Sequence, residues 1–335
     1  MKYLSILFIL LLQLSLFAKV KDTISRDDRT RLHEAFKIGK EFGDKIWDKW
    51  NETPFSVILI TDSVEFLIRH PKPVAGFTFI GYDSLLESNV YSRKRVFNTN
   101  LEASFPAVDE IPTVIIGQPQ FIHKSSIAWV LTLLHEHFHQ FQTAQKDYYS
   151  SVGALNLSGG DKTGMWMLNY PFPYRDSSVI AAYDSMKSAL SNALSGPAGI
   201  NSGKEAELYL TRKKHFESRL APNDYKYFSF QLWQEGIARY TELKLLKLMI
   251  DGGFKFSDDF ISLGDYTDLT GFYTSYLNDI IKQISSNRLG NSQRVCFYAI
   301  GAGEGILLDK VNPEWKTFYF KDKFFLEKYY DGNEK

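Results

Sequence analysis

The chain is nearly free of cysteine: Cys296 is the only one in 335 residues. An internal disulfide is excluded, thiolate zinc clusters are excluded with it, and stability has to come from a core and from any bound metal. Net charge is missing too, because 39 basic residues balance 39 acidic ones. No overall field draws the molecule to nucleic acid or to an anionic membrane, so neither is an expected partner. There is also no internal repeat, low-complexity tract or charged linker to divide the chain. Cys296 itself lies in the apolar run Val295–Ala299 and reads as a small core hydrophobe with no catalytic role.

What remains is rich in core-forming residues, 44% hydrophobic and 15% aromatic, enough for one large unit. Met1-Lys2, an apolar stretch from Tyr3 to Phe17 and the small residue Ala18 have the pattern of a signal peptide over 1–18. The expected product is exported to the periplasm or cell envelope, or secreted. No stable membrane insertion is expected after cleavage, an uncleaved anchor being the alternative, and no cysteine stands at the junction to carry a lipid.

The expected fold is α+β, with residues 19–335 forming one catalytic unit. A mixed α/β half (19–150) starts with an amphipathic helix from Asp27 to Trp50, whose apolar residues recur at helical spacing. Strands are expected at Phe55–Thr61, around Val74–Ile80 and at Pro112–Gly117, the last apolar enough to lie inside a sheet. A helix capped by Ser125 or Ser126 follows. Ser150 to Arg175, rich in Gly, Ser, Asn and Pro, reads as a long ordered loop. The second half (151–335) is mainly helical, with helices at Ser178–Leu194, Lys204–Leu220, Tyr225–Ile250 and Cys296–Leu308.

The helix after Ser126 carries His135-Glu136-His137-Phe138-His139. In His-Glu-x-x-His the two outer histidines stand one turn apart on one face and can meet a single zinc ion. Glu136 projects about 100° around the helix from His135, placed to act on a water without ligating the metal. His137 faces the other way and is expected to be packed or hydrogen-bonded.

A catalytic zinc normally takes three protein ligands. The metzincin continuation is absent, since Gln142 stands where a glycine is required. Far downstream, Glu235-Gly236-Ile237-Ala238-Arg239-Tyr240 lies on an expected helix. His-Glu-x-x-His followed by Glu-Gly-x-Ala-x-Tyr resembles the gluzincin metallopeptidases, from about Thr113 to Glu242. The resemblance implies a zincin-like fold and one zinc per chain held by His135, His139 and Glu235, with Glu136 as base; it also implies a sheet edge strand above the active-site helix, a place that Pro112–Gly117 fits, with an interior strand as the alternative. Gluzincins often place an Asp about one turn after the ligand glutamate to orient a histidine. Ala238 and Arg239 occupy those places here, so that role must lie elsewhere. Glu242 is a rival ligand, and an Arg239 ion pair is an alternative reason for the Glu235–Arg239–Glu242 spacing. Gly236 is expected to let its helix approach the histidine helix closely.

The expected activity is hydrolysis of peptide bonds in a peptide or protein substrate, with Tyr240 and Tyr298 as candidate donors to the oxyanion. Two alternatives share the site: a peptidase-like binding protein without turnover, and a zinc hydrolase of a non-peptide ester or amide. Gly301-Ala302-Gly303-Glu304-Gly305 lacks the Lys-Ser/Thr of a phosphate loop and is expected to serve close helix packing.

Overall fold

The computed structural model describes residues 23–195 and 202–330, so the expected signal peptide lies outside the described residues. The first helix, α1 (Arg26–Ile46), starts at Ser25, whose hydroxyl accepts the Asp28 amide, with Asp27 and Asp28 in the favourable first turn. It ends short of the expected Trp50, because the backbone turns extended at Trp47; the left-handed Lys49 then opens a separate 3₁₀ turn at Trp50–Glu52.

Six strands follow: β1 (Val57–Ile60), β2 (Val64–Ile68), β3 (Thr78–Asp83), β4 (Ser88–Lys94), β5 (Glu102–Val108) and β6 (Ile111–Gly117). They form one mixed sheet in the order β3-β4-β2-β1-β6-β5. β1 and β6 are parallel, with Val57 opposite Val114, and the remaining pairs are antiparallel. The run Pro112–Gly117 is thus an interior strand. The edge beside it is β5, which covers the outer flank of β6.

The chain then becomes helical: α2 (Ser126–Ala144), α3 (Ser177–Ser195), α4 (Ser202–Glu217), α5 (Pro222–Gln231), α6 (Ile237–Asp251), α7 (Leu269–Ser286) and α8 (Val295–Val311). A π-helical turn, Leu232–Gly236, joins α5 to α6. Val57, Leu59, Phe66, Ile68, Val114 and Ile116 turn one sheet face into a core that also contains Leu32 of α1, Leu133 of α2, Leu246 of α6 and Leu307 of α8. The opposite face, with Ile58, Ile60, Leu67 and Ile115, is covered by Val74, Phe77, Phe97 and Leu101 from loops. Val74 and Phe77 therefore belong to a loop lid over the sheet, and the strand expected there begins at Thr78.

No helix among the described residues is long and apolar enough to cross a membrane. The N-terminus of α2 is held differently from the expected serine cap. Ser125 makes no side-chain cap; instead Asp265 accepts both the backbone N–H of Ser126 (2.7 Å) and its hydroxyl (2.7 Å). The carboxylate, contributed from a distant loop, satisfies one of the unpaired amides and faces the positive end of the helix dipole.

Candidate metal centre

Helical periodicity brings His135 and His139 to the same face of α2, with their Nε2 atoms 3.1 Å apart. The π turn then presents Glu235, whose Oε2 lies 3.5 Å from each of these nitrogens. An extra residue in a helical turn re-aims the side chain that follows, and π turns recur at functional sites for that reason. Ligand atoms about 2.0–2.1 Å from a zinc ion stand about 3.3–3.4 Å apart at a tetrahedral angle. The three atoms here form a triangle of nearly that size. His135, Glu136 and His139 also form a group whose ligand atoms lie within 4.8 Å of one another, close enough to hold a metal ion.

The remaining ring nitrogens are both spoken for. Nδ1 of His135 donates to Glu242 Oε1 at 2.6 Å, and Nδ1 of His139 donates to Gln142 Oε1 at 2.6 Å. Gln142 is oriented in turn by Gln234, whose amide reaches it at 3.0 Å, and by the Tyr319 hydroxyl at 2.7 Å. With both Nδ1 atoms donating, the Nε2 lone pairs point at each other, an arrangement that is repulsive until a cation sits between them. The donor set therefore fits a metal ion, and zinc matches it in ligand type.

Electrostatics point the same way. Burial alone would lower the pKa of His135, but the hydrogen bonds to Glu235 and Glu242 outweigh it and raise it to about 10. His139 is raised in the same sense, with burial opposed by Glu235. Glu235 is held well below the usual carboxylate range: burial would raise it, and the two histidines override that. A proton on this pair and a metal ion between the two Nε2 atoms would therefore compete for one place.

Glu136 is 7% exposed and makes no hydrogen bond to a described residue. Burial raises its pKa, against the pull of His139 and His135. It opens onto a cleft of 1380 Å³ lined by His135, His139, Glu235, Arg294, Tyr298 and the edge residues Leu101–Pro106. The segment after α2 closes the far side with Met165, Trp166 and Met167. That segment, expected as a loop, contains short helices at Tyr148–Ala154 and Trp166–Asn169. Asp161 ties it together by accepting the amides of Thr163 and Trp166, each at 2.7 Å.

The other expected residues divide. Tyr298 lines the cleft, and Arg294 donates to its hydroxyl oxygen. Tyr240 does not belong there. Its ring is fully buried against Gly305, and its hydroxyl donates to Asp309 at 2.8 Å, so the expected oxyanion role is withdrawn. Glu242 approaches His135 from the Nδ1 side and also accepts the Tyr276 hydroxyl at 2.7 Å, which makes it an orienting group. Glu242 thus stands against His135 where Ala238 and Arg239 offer no such contact. Arg239 forms no ion pair with Glu235 or Glu242; it donates to Gln283 at 2.7 Å. His137 is buried, stacked on Phe55 at 3.7 Å between centroids and bonded to Gln140, and burial pushes its pKa down to about 3. Cys296 is buried.

Sequence reasoning did not single out Gln142 and Gln234 as supports for His139, Tyr276 as a support for Glu242, or Arg294. The only available signal was the helical spacing of Gln142 from His139. Removing the orienting carboxylate has a defined expected outcome. Glu242→Ala weakens metal binding by about 10–100-fold, whereas Glu242→Gln, which still accepts from Nδ1, loses less. Competition titration with a chelator reads this, and equal affinities for all three proteins would refute the orienting role.

Comparison with protein-family models, with curated proteins and with solved structures returned no match.

Proposed function

We propose that the protein is an exported, zinc-dependent hydrolase of the gluzincin type with a zincin-like catalytic unit, and that it cleaves peptide bonds. The observation that carries this reading is the convergence of Glu235 Oε2 on two facing Nε2 atoms, 3.5 Å from each, beside a buried glutamate open to a large cleft. His135, His139 and Glu235 would hold the zinc. When bound, zinc supplies a Lewis acid that lowers the pKa of a coordinated water toward neutrality.

The chain's own groups do the rest. Glu136, made more basic by burial, takes a proton from the attacking water and returns it to the leaving nitrogen. Tyr298 receives an N–H from Arg294 on its oxygen, which leaves its own hydrogen free to donate to the developing oxyanion. The exposed backbone of the edge strand β5 beside the cleft can accept an extended chain as an additional strand. Pro106 interrupts its row of N–H donors, so the segment Glu102–Phe105 is the usable part.

The intact, unpartnered Glu136 favours turnover over a binding protein, which has no need of a base there. The 1380 Å³ volume of the cleft and the strand β5 along its wall favour a peptide over a compact ester. The test is metal content and hydrolysis of a mixed peptide library by the purified protein. One zinc per chain and chelator-sensitive cleavage are expected, and Glu235→Ala should lose both. Full zinc loading of Glu235→Ala would remove that residue from the proposed ligand set, and zinc without cleavage of any peptide would refute the peptidase.

A further inference from the structure

Arg294 stands at the start of α8, one helical turn before Tyr298, and its guanidinium is partly buried in the wall of the cleft. A guanidinium is a fork of several N–H donors with no acceptor, suited to a carboxylate. Here a single donor is engaged, with the Tyr298 hydroxyl as its partner. No described carboxylate forms an ion pair with it, and Glu235 is committed to the two histidines. The other cations of the cleft are in a different state. Arg239 donates to Gln283, Lys124 is paired with Glu102 and bonded to Thr132, and Lys162 is exposed. The remaining donors of this guanidinium are not buried and open on the cleft, so they are free to meet an anionic ligand there.

We propose that Arg294 binds the free C-terminal carboxylate of the substrate, so that the enzyme acts as a carboxypeptidase; this deepens, and rests on, the peptidase reading above. Arg294 and Tyr298 touch each other, so a carboxylate on the remaining donors of the fork and a carbonyl oxygen on the Tyr298 hydroxyl are close neighbours. One residue of chain, which spans at most about 3.3–3.6 Å, bridges them. The scissile bond is then the last peptide bond. Water gives its OH to the acyl carbon, the C–N bond breaks, and the proton passes through Glu136 to the departing amine. The last amino acid leaves with its carboxylate on Arg294. A chain that continues past this point, or ends in an amide, brings no charge to the fork and leaves it unpaired, which is the kind of mismatch that discriminates strongly.

The experiment is equilibrium binding to the full-length, zinc-loaded Glu136→Gln protein, which does not consume the ligand. The probes are N-benzoylglycyl-phenylalanine and its C-terminal carboxamide. The acid is expected to bind about 10–100-fold tighter than the amide. Adding Arg294→Gln removes this difference, and Arg294→Lys, which keeps the charge and loses the fork, restores part of it. Equal binding of acid and amide, or a preference that survives Arg294→Gln, overturns the proposal. A merely structural role in orienting Tyr298 would weaken both probes alike. Product analysis gives the second readout: single residues released from peptide acids but not from peptide amides support the proposal, and internal cleavage of both at equal rates contradicts it. Failure of the hydrolase reading looks different, since it abolishes zinc-dependent cleavage while leaving the acid–amide binding difference intact.

Discussion

Glu136→Gln is expected to keep its zinc and lose hydrolysis by at least about a thousandfold. The substitution retains shape and volume, so the cleft and the metal ligands stay in place, but an amide has no basic oxygen to take a proton. General-base catalysis contributes about 10²–10⁴ in rate, and in the proposed mechanism Glu136 would also return the proton to the leaving group, so the upper part of that range is expected. The burial that leaves Glu136 only 7% exposed gives the carboxylate no alternative partner among the described residues. Nothing else is poised to replace it, because Glu235 is turned to the histidines and Glu242 lies behind His135. Metal analysis together with kcat/KM on one peptide checks this. A variant that retains more than about a tenth of wild-type kcat/KM would show that Glu136 is not the base.

The second large effect is on the scaffold. Gly301→Ala is expected to cost about 2–3 kcal/mol of stability and to weaken metal binding at the same time. Gly236 and Gly301 meet where the π turn crosses α8. A Cβ on Gly301 would stand 2.6 Å from the Leu232 carbonyl oxygen and 2.7 Å from the Gly236 Cα, and a Cβ on Gly236 would stand 2.4 Å from the Gly301 Cα. All of these obstacles are backbone, so relief requires moving the turn that carries Glu235. Gly303→Ala is the internal control. Its Cβ meets only the ends of Ile284, Leu190 and Leu194 side chains, the nearest at 2.8 Å, and these can rotate aside. Denaturant unfolding and chelator competition on both variants separate the cases. If Gly301→Ala matches the control in both measurements, the helix crossing does not set the position of Glu235.

The same contact shows where local reading reached its limit. Gly236 was expected to serve close approach to the histidine helix, and the glycines from 301 to 305 to serve helix packing. The second expectation holds: Gly301 meets the π turn and Gly305 receives the ring of Tyr240. The first named the wrong partner, because a glycine in a sequence announces a close approach without saying what approaches. Strand reading failed in a related way. β6 was recognisable from its apolar run, yet its interior position depends on β5, whose Glu102-Ala103-Ser104-Phe105-Pro106 segment carries no strand signature. β2 and β4 were missed, as was α7, of which only Ile280 and Ile284 are deeply buried.

The pairing of His135 with His139 and the offset of Glu136 were legible because they are consequences of 3.6 residues per turn, which no tertiary contact is needed to produce. The α+β composition and the runs of helix in the second half follow from similarly local periodicities. The roles of Glu235, Glu242, Tyr240 and Arg294 are of another kind. Helical spacing puts Glu235 and Glu242 on one face and gives no reason to choose between them. The choice was made by a π turn that rotates Glu235 toward Nε2 and by the packing of α6 on α2, which brings Glu242 to Nδ1 of the same ring. Tyr240 was turned to Asp309 and Arg294 was left facing the cleft by contacts between segments far apart in the chain. Period and propensity act over a few residues, whereas the direction of a side chain at a shared site is set by which helices touch and at what angle.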